Sequence, residues 1–487
     1  MATVCVLGVA AIGLRTVGLE SSLWVDETYT ALVYVRGGPS EILGGEFTIN
    51  NHILFSLVGW ALTSIGGEHE WLLRSAAVVP ALGAVAIVSR WLQRRFGTVS
   101  AIAAGALIVS SREHLILSRQ ARGYGLVYLA AALALVAADA LLENPGQRRA
   151  WFQYAGAGLL GTASFLFFAA PWLIGSAVLA TSRRLVRRVL LAIGAVGSAT
   201  ALLYIDAYGA VSRSAGDFQR HRSLEPTPFN DSVSWVRRWI GVPIAQLTTR
   251  ADQRFATAIT VVIVIPILAV AARHLVRGDH ARLLCYLVAP QVFVHLGAAV
   301  AQSALHRRYT AALLIPTAAL FGIGVGSLAA SASTRLTRVG RIAPIAGFVA
   351  VLAVTGRFVH QNLDEVRIPL EDFRSPARRL DRFEAAAGPV DQLIVSKRTY
   401  GVTYYFDRPV SAIRTSAPYA VSLAELERLA CSSLDQLAFV TFGGPLEDEA
   451  LACVVDRGGE RHVYEQRSRG GQITLWLLPA NAPSPPG

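Results

Sequence analysis

Apolar residues recur along this chain in blocks of about twenty, the length a helix needs to cross a hydrocarbon core. Candidate spans fall at 4–17, 72–92, 101–117, 126–142, 152–168, 171–180, 189–204, 256–272, 283–301, 311–328 and 342–358. They predict a polytopic α-helical membrane protein with about 11 transmembrane helices. The composition agrees, because 53% of the residues are hydrophobic and only 16% are charged, and the apolar blocks are too long for a soluble core. The first block has no basic region before it and no small-residue cleavage site clear of the motif that follows. It therefore reads as a retained helix and not as a leader.

The charged residues orient these spans. The formal net charge is +12, which in a soluble chain would suggest nucleic acid. Here the dense basic clusters, at 90–95, Arg148 with Arg149, 183–188, 273–282 and 335–341, all fall on one side of the predicted spans. Short basic loops stay in the cytoplasm, so that side is the inside, the amino terminus is cytoplasmic and everything after residue 358 is outside. The same arithmetic places 20–71, 112–122, 208–254 and 303–309 outside, as expected for a protein of the cytoplasmic (inner) membrane. The apolar piece at 53–65 is short for a span and reads as an interfacial helix, because a crossing there would invert every later loop.

Beyond about residue 360 the pattern becomes soluble. The expectation is a transmembrane module over 1–360, with its outer loop at 20–71, and a small extracytoplasmic α/β domain over 361–487. That domain has apolar runs at 392–396, 400–406 and 438–442, and helical spacing at 373–383 and 422–429. Of the four cysteines, Cys431 and Cys453 lie in it, where a disulfide is permitted; two buried thiols are the other reading. No Cys/His spacing suggests zinc.

Chemistry-bearing residues concentrate on the predicted outer face. The first outer loop reads Leu23-Trp24-Val25-Asp26-Glu27. A carboxylate close to the headgroup boundary suits a general base that activates an acceptor hydroxyl or amine. Neighbouring side chains diverge, so one of Asp26 and Glu27 would face a site while the other orients a partner. An ordinary solvated acidic loop is the plain alternative. Asn50-Asn51-His52 follows at the entry to the interfacial helix, where His52 could meet an anion or simply flank a capped helix.

Arg119 and Arg122 are three residues apart, which would put them on one face of a helix, and Tyr124 follows. Arg307, Arg308 and Tyr309 precede a late span, and Arg74 precedes an early one. Outer-face arginines run against the positive-inside bias and call for an anionic partner. A lipid phosphate held through bidentate contacts would serve; snorkelling to ordinary headgroups is the alternative. A polyprenyl-phosphate sugar fits the whole set. The arginines would stabilise the leaving phosphate while Asp26 takes the acceptor proton, giving inversion. No metal is required by such a scheme, which leaves a divalent ion open, and no Gly-rich nucleotide loop is needed.

These residues resemble the GT-C glycosyltransferase superfamily, in its bacterial branch related to protein O-mannosyltransferases and lipid A aminoarabinose transferases. The elements are, in order, Leu23 to Glu27, Asn51-His52 with Leu54, Leu73-Arg74, Ala121 to Tyr124, and Arg308-Tyr309; Leu370 to Arg374 is also similar. The resemblance covers nearly the entire membrane region. It implies Asp26 as the catalytic acid/base supported by Glu27, and donor-phosphate contacts from His52 and the outer arginines. Ile53 stands where members carry proline, and Gln120 where they often carry an acid.

The expected partners are therefore a polyprenyl-phosphate sugar donor, a glycan, lipid or protein acceptor, and membrane lipids, with no nucleic acid. The loop at 208–254, with Asp217, His221, Trp235 and Trp239, would help to choose the acceptor. A transporter or flippase of lipid-linked glycans would also need arginines, but transporters place ionisable groups near the bilayer midplane and carry internal repeats. Here those groups collect at one face. A membrane anchor for the outer domain needs far fewer spans.

Overall fold

The computed structural model describes residues 2–45, 48, 51–206, 265–300, 307–335, 372–387, 389–390, 392–395, 399–406, 411–412, 437–443, 459–465 and 472–478. The predicted span at 342–358, the loop at 208–254, the helix at 422–429, and residues Asn50, Cys431 and Cys453 lie outside them. Two compact units emerge. The first joins Met1–Leu19 to Gly38–Leu363, and the second joins Glu20–Gly37 to Asp364–Gly487. The segment bearing Asp26 thus groups with the C-terminal residues, whereas the sequence had suggested that the whole loop at 20–71 belongs with the spans.

In the first unit, helices follow one another as α1 (Ala2–Thr16), α3 (Gly38–Gly44), α4 (Ile53–Gly66), α5 (Glu70–Phe96), α6 (Thr98–Ser110), α7 (Arg112–Ser118), α8 (Tyr124–Glu143) and α9 (Arg148–Ser164). They continue with α10 (Ala169–Ala180), α11 (Val186–Leu203), α12 (Ile265–Arg277), α13 (Ala281–Val300) and α14 (Leu314–Arg335). Among the described residues, four helical stretches are long and apolar enough to cross a membrane: Glu70–Phe96, Tyr124–Glu143, Val186–Leu203 and Arg308–Ser331. Others are shorter, including α4 at 14 residues. Large apolar side chains lie on the outside of several helices, with Val9, Val79, Phe152 and Leu202 more than 60% exposed. An exterior of this kind suits lipid and not water.

Small residues hold the helices together, as expected where hydrocarbon replaces water and close dispersion contact replaces hydrophobic expulsion. A Cβ on Gly125 of α8 would overlap the Ala77 carbonyl of α5, and one on Gly322 of α14 would overlap the Ser100 carbonyl of α6. Charge complements the dipole of α5, which has Glu70 in its first turn, Arg94 and Arg95 in its last, and Gly97 at φ 90° ending it.

Two predicted spans are interrupted. The block at 101–117 breaks at Ser111, which takes an extended conformation and accepts the His114 N–H at 3.3 Å, capping α7. The block at 152–168 breaks after Ser164, where extended Phe165 leads into a 3-10 turn at Leu166–Phe168.

The second unit contains α2 (Val25–Tyr29), which runs on as a π-helix at Thr30–Val35, then α15 (Arg374–Ala387) and α16 (Thr399–Phe406). Its five-stranded mixed sheet has the order β2-β1-β3-β5-β4, with β1 (Gln392–Val395) parallel to β2 (Ser411–Ala412) and β3 (Leu437–Gly443). Strand β5 (Gln472–Leu478) runs antiparallel to both β3 and β4 (Glu460–Glu465). Residues Leu437 to Phe442 of central β3 are all buried, as in a strand covered on both faces. Asp372 caps α15 by accepting Ser375 N–H at 3.0 Å, and Pro376 sits in the first turn, where a missing N–H is harmless. Phe373, Ala377 and Leu380 pack with Val402 and Phe406 of α16, so the aromatic run at 400–406 is helical.

Candidate functional site

In the first unit, residues from four separate stretches of sequence meet. His52 directly precedes α4, Arg122 and Tyr124 lie where the α7–α8 connection enters α8, Ser164 and Phe165 end α9, and Arg308 and Tyr309 belong to the 3-10 segment Arg307–Leu313 before α14. His52, Arg122 and Tyr124 are each about 1% exposed. The His52 Nδ1 lies 2.7 Å from the Ser164 carbonyl, and Arg122 Nε donates to His52 Nε2 at 3.1 Å.

These bonds settle the state of the imidazole. A carbonyl only accepts, so Nδ1 carries the proton; Nε2 accepts from an N–H, so it carries none. His52 is therefore neutral. Burial, followed by the nearby charge of Arg122, holds its pKa well below the ordinary histidine range, against a smaller opposing effect from the Ser164 carbonyl; the charge of Arg308 lowers it further. With both ring nitrogens occupied, His52 supports Arg122 and offers no nitrogen to an anion.

Glycine permits this closeness. Gly123 is followed directly by α8, and a Cβ there would overlap the Ser164 carbonyl and lie 2.9 Å from His52 Nδ1. Aromatic rings surround the pair. Phe165 stacks on His52 at 5.3 Å and on Tyr309 at 5.9 Å, and meets Tyr124 edge-on at 5.5 Å. Phe167 lies 4.3 Å from Tyr309, and the Arg122 guanidinium is 5.5 Å from the centre of the Tyr124 ring. Among the described residues, the buried Tyr124 hydroxyl has no hydrogen-bond partner. The assembly is a cationic, aromatic-walled cluster.

The other arginines divide. Arg74 Nη1 donates to the Leu19 carbonyl at 2.8 Å, and Arg119 Nη2 donates to the Val17 carbonyl, so both tie down the chain leaving α1. The side chain of Arg307 lies outside the described residues. The sequence reading missed Ser164, Phe165 and Phe167, which lie inside an apolar block; no glycine or proline marks the break between Ser164 and Phe165.

In the second unit, Asp26 and Glu27 share the first turn of α2 and diverge. The Glu27 side chain is about 1% exposed and its carboxylate accepts the Trp24 N–H at 3.1 Å, closing the helix start. Asp26 is half-buried. Among the described residues no group of three His, Cys, Asp or Glu side chains could hold a metal ion.

Comparison of the sequence with protein-family models and with curated proteins finds no match. Solved structures do match. ArnT from Cupriavidus metallidurans bound to undecaprenyl phosphate aligns over 97% of this chain and 97% of its own, at 13% identity and a TM-score of 0.60. The same protein in the apo state gives 0.59 with the same coverage. The archaeal oligosaccharyltransferase AglB from Archaeoglobus fulgidus, in complex with an inhibitory peptide and a dolichol-phosphate, aligns over 99% of this chain and 74% of its own, at 11% identity and a TM-score of 0.53. At such identities the likeness is one of fold.

Proposed function

We propose that this chain is a multi-pass membrane glycosyltransferase that moves a sugar from a polyprenyl-phosphate donor to an acceptor at the outer face of the cytoplasmic membrane, with inversion. The observation that carries the reading is the convergence of Arg122 and Arg308 on a neutral His52 that aims one guanidinium, with Tyr124 and Tyr309 packed on the neighbouring Phe165. A fold shared with an undecaprenyl-phosphate complex and a dolichol-phosphate complex supports it. The basic clusters support a cytoplasmic amino terminus and an extracytoplasmic C-terminal domain.

Each group has a role in this scheme. Arg122 presents its Nη edge to the donor phosphate, Arg308 adds charge, and Tyr124 donates its hydroxyl. Asp26 takes the proton from the acceptor hydroxyl or amine as that atom attacks the anomeric carbon. The bond from that carbon to the phosphate oxygen breaks, and its electron pair leaves on the phosphate. Guanidiniums in a water-poor site favour that developing charge more than the ground state, which is what lowers the barrier. The scheme uses only side chains of this protein, and Glu27 keeps the helix carrying Asp26 closed.

Comparing cells with and without the gene tests this reading. The expected result is accumulation of one polyprenyl-phosphate sugar and loss of one sugar from a surface glycan, glycolipid or protein. Identical lipid-linked pools and identical glycans would contradict it.

A further inference from the structure

The segment that carries Asp26 is fastened to the C-terminal residues of its own unit by hydrogen bonds clustered just before it. Leu23 N–H donates to Tyr405 Oη at 2.6 Å, Phe373 N–H donates to Ser22 Oγ at 3.0 Å, and Arg374 Nη1 donates to the Glu20 carbonyl at 2.7 Å. Past α2, Arg36 lies over the Tyr404 ring at 4.7 Å.

The partners are themselves fixed. The Tyr405 ring faces Phe373 at 6.4 Å and lies 5.8 Å from the Arg374 guanidinium, and Phe373 is fully buried in the core of the α/β unit. From these anchors the path to Asp26 is short. Leu23 is fully buried, Trp24 N–H is held by Glu27, and Thr30 Oγ1 donates to the Asp26 carbonyl at 3.0 Å. Helix α2 with its π-helical continuation to Val35 stays below the length of about 12–15 residues at which an isolated helix holds itself, so its aim comes from what holds its ends.

We infer that Tyr405, Ser22 and Arg374 are positioning residues for Asp26, and that the C-terminal α/β unit is a working part of the transferase instead of an appended module. The inference rests on the reading of Asp26 as the base. A base displaced by about 1 Å loses on the order of a hundred-fold in rate, so loosening these bonds would slow transfer without touching the donor site.

The test uses the full chain in proteoliposomes, with Tyr405→Phe, Ser22→Ala and Ser22→Thr. Three quantities are read: sugar transfer, affinity for undecaprenyl phosphate, and hydrogen exchange over residues 20–37. Tyr405→Phe and Ser22→Ala should lower transfer about ten- to a hundred-fold and raise exchange in 20–37 while leaving it unchanged in 70–96. Their affinity for undecaprenyl phosphate should stay within about two-fold, and Ser22→Thr, which keeps the hydroxyl, should recover most of the rate. Unchanged exchange in 20–37, or full transfer by Tyr405→Phe, would overturn the inference. Asp26→Asn run alongside separates the two levels: full transfer by that variant defeats the base itself, whereas its inactivity beside an unimpaired Tyr405→Phe defeats only the positioning role.

Discussion

His52 accepts the Nε–H of Arg122 at 3.1 Å while spending its own Nδ1 proton on the Ser164 carbonyl at 2.7 Å. A histidine held this way adds no positive charge to the site. It fixes the plane of a guanidinium and so sets which donors the proposed phosphate would meet. Arginine depends on such fixing, because its advantage over lysine lies in planar, two-point contact.

Truncating His52 to Ala removes both bonds and leaves a buried Nε–H and a buried carbonyl unmet. Affinity for undecaprenyl phosphate should fall about ten-fold, the effect of losing one good hydrogen bond. Gln, which can still accept from Arg122, should retain part of it. A titration showing His52→Ala with native affinity would mean that Arg122 is aimed by other groups.

The same pairing predicts a pH effect. Because the folded pKa of His52 is pushed below that of the unfolded chain, the unfolded state takes up a proton first as pH falls. The contribution is whole above about pH 6.5 and is lost as pH drops below that value toward the folded pKa. Thermal unfolding should therefore show a Tm that declines between roughly pH 7 and pH 5, with a smaller decline in His52→Gln. Equal declines in both proteins would assign the effect to other groups.

The arginines should separate into two behaviours. Arg122→Ala and Arg308→Ala should weaken undecaprenyl-phosphate binding with modest effects on Tm. Arg74→Ala and Arg119→Ala, which release carbonyls of the chain leaving α1, should lower stability by about 1–2 kcal/mol and leave affinity near native. Parallel titration and melting of the four variants checks this, and a uniform loss of affinity would erase the distinction.

Gly123→Ala tests crowding. The added methyl meets the Ser164 carbonyl and His52 Nδ1, so one must shift. The expected cost is about 1–3 kcal/mol of stability together with reduced donor affinity. A variant with wild-type melting and binding would show that the junction has slack.

Much of the fold is legible in the chain, because apolar block length is a direct requirement of the bilayer. Legibility stops where the backbone leaves regular structure. The break at Ser111 had a readable cause in a serine able to cap α7, but the break at Phe165 had none, and Phe165 is the ring around which the cluster is built. The motifs at 119–124 and 308–309 could be read as one group by charge and side of the membrane. That Arg122 meets His52 while Arg119 turns to the end of α1 could not, since the partners are set by how α4, α8 and α9 converge. The grouping of Glu20–Gly37 with the C-terminal unit was equally hidden, because it depends on bonds such as Leu23 to Tyr405 across 382 residues.

The most direct measurement is sugar transfer by purified wild-type and Asp26→Asn proteins in proteoliposomes, using the polyprenyl-phosphate sugar that accumulates when the gene is absent. The account predicts transfer by the wild type, and a loss of about a thousand-fold or more in the variant, with undecaprenyl-phosphate affinity unchanged. Transfer by Asp26→Asn at the wild-type rate would contradict it.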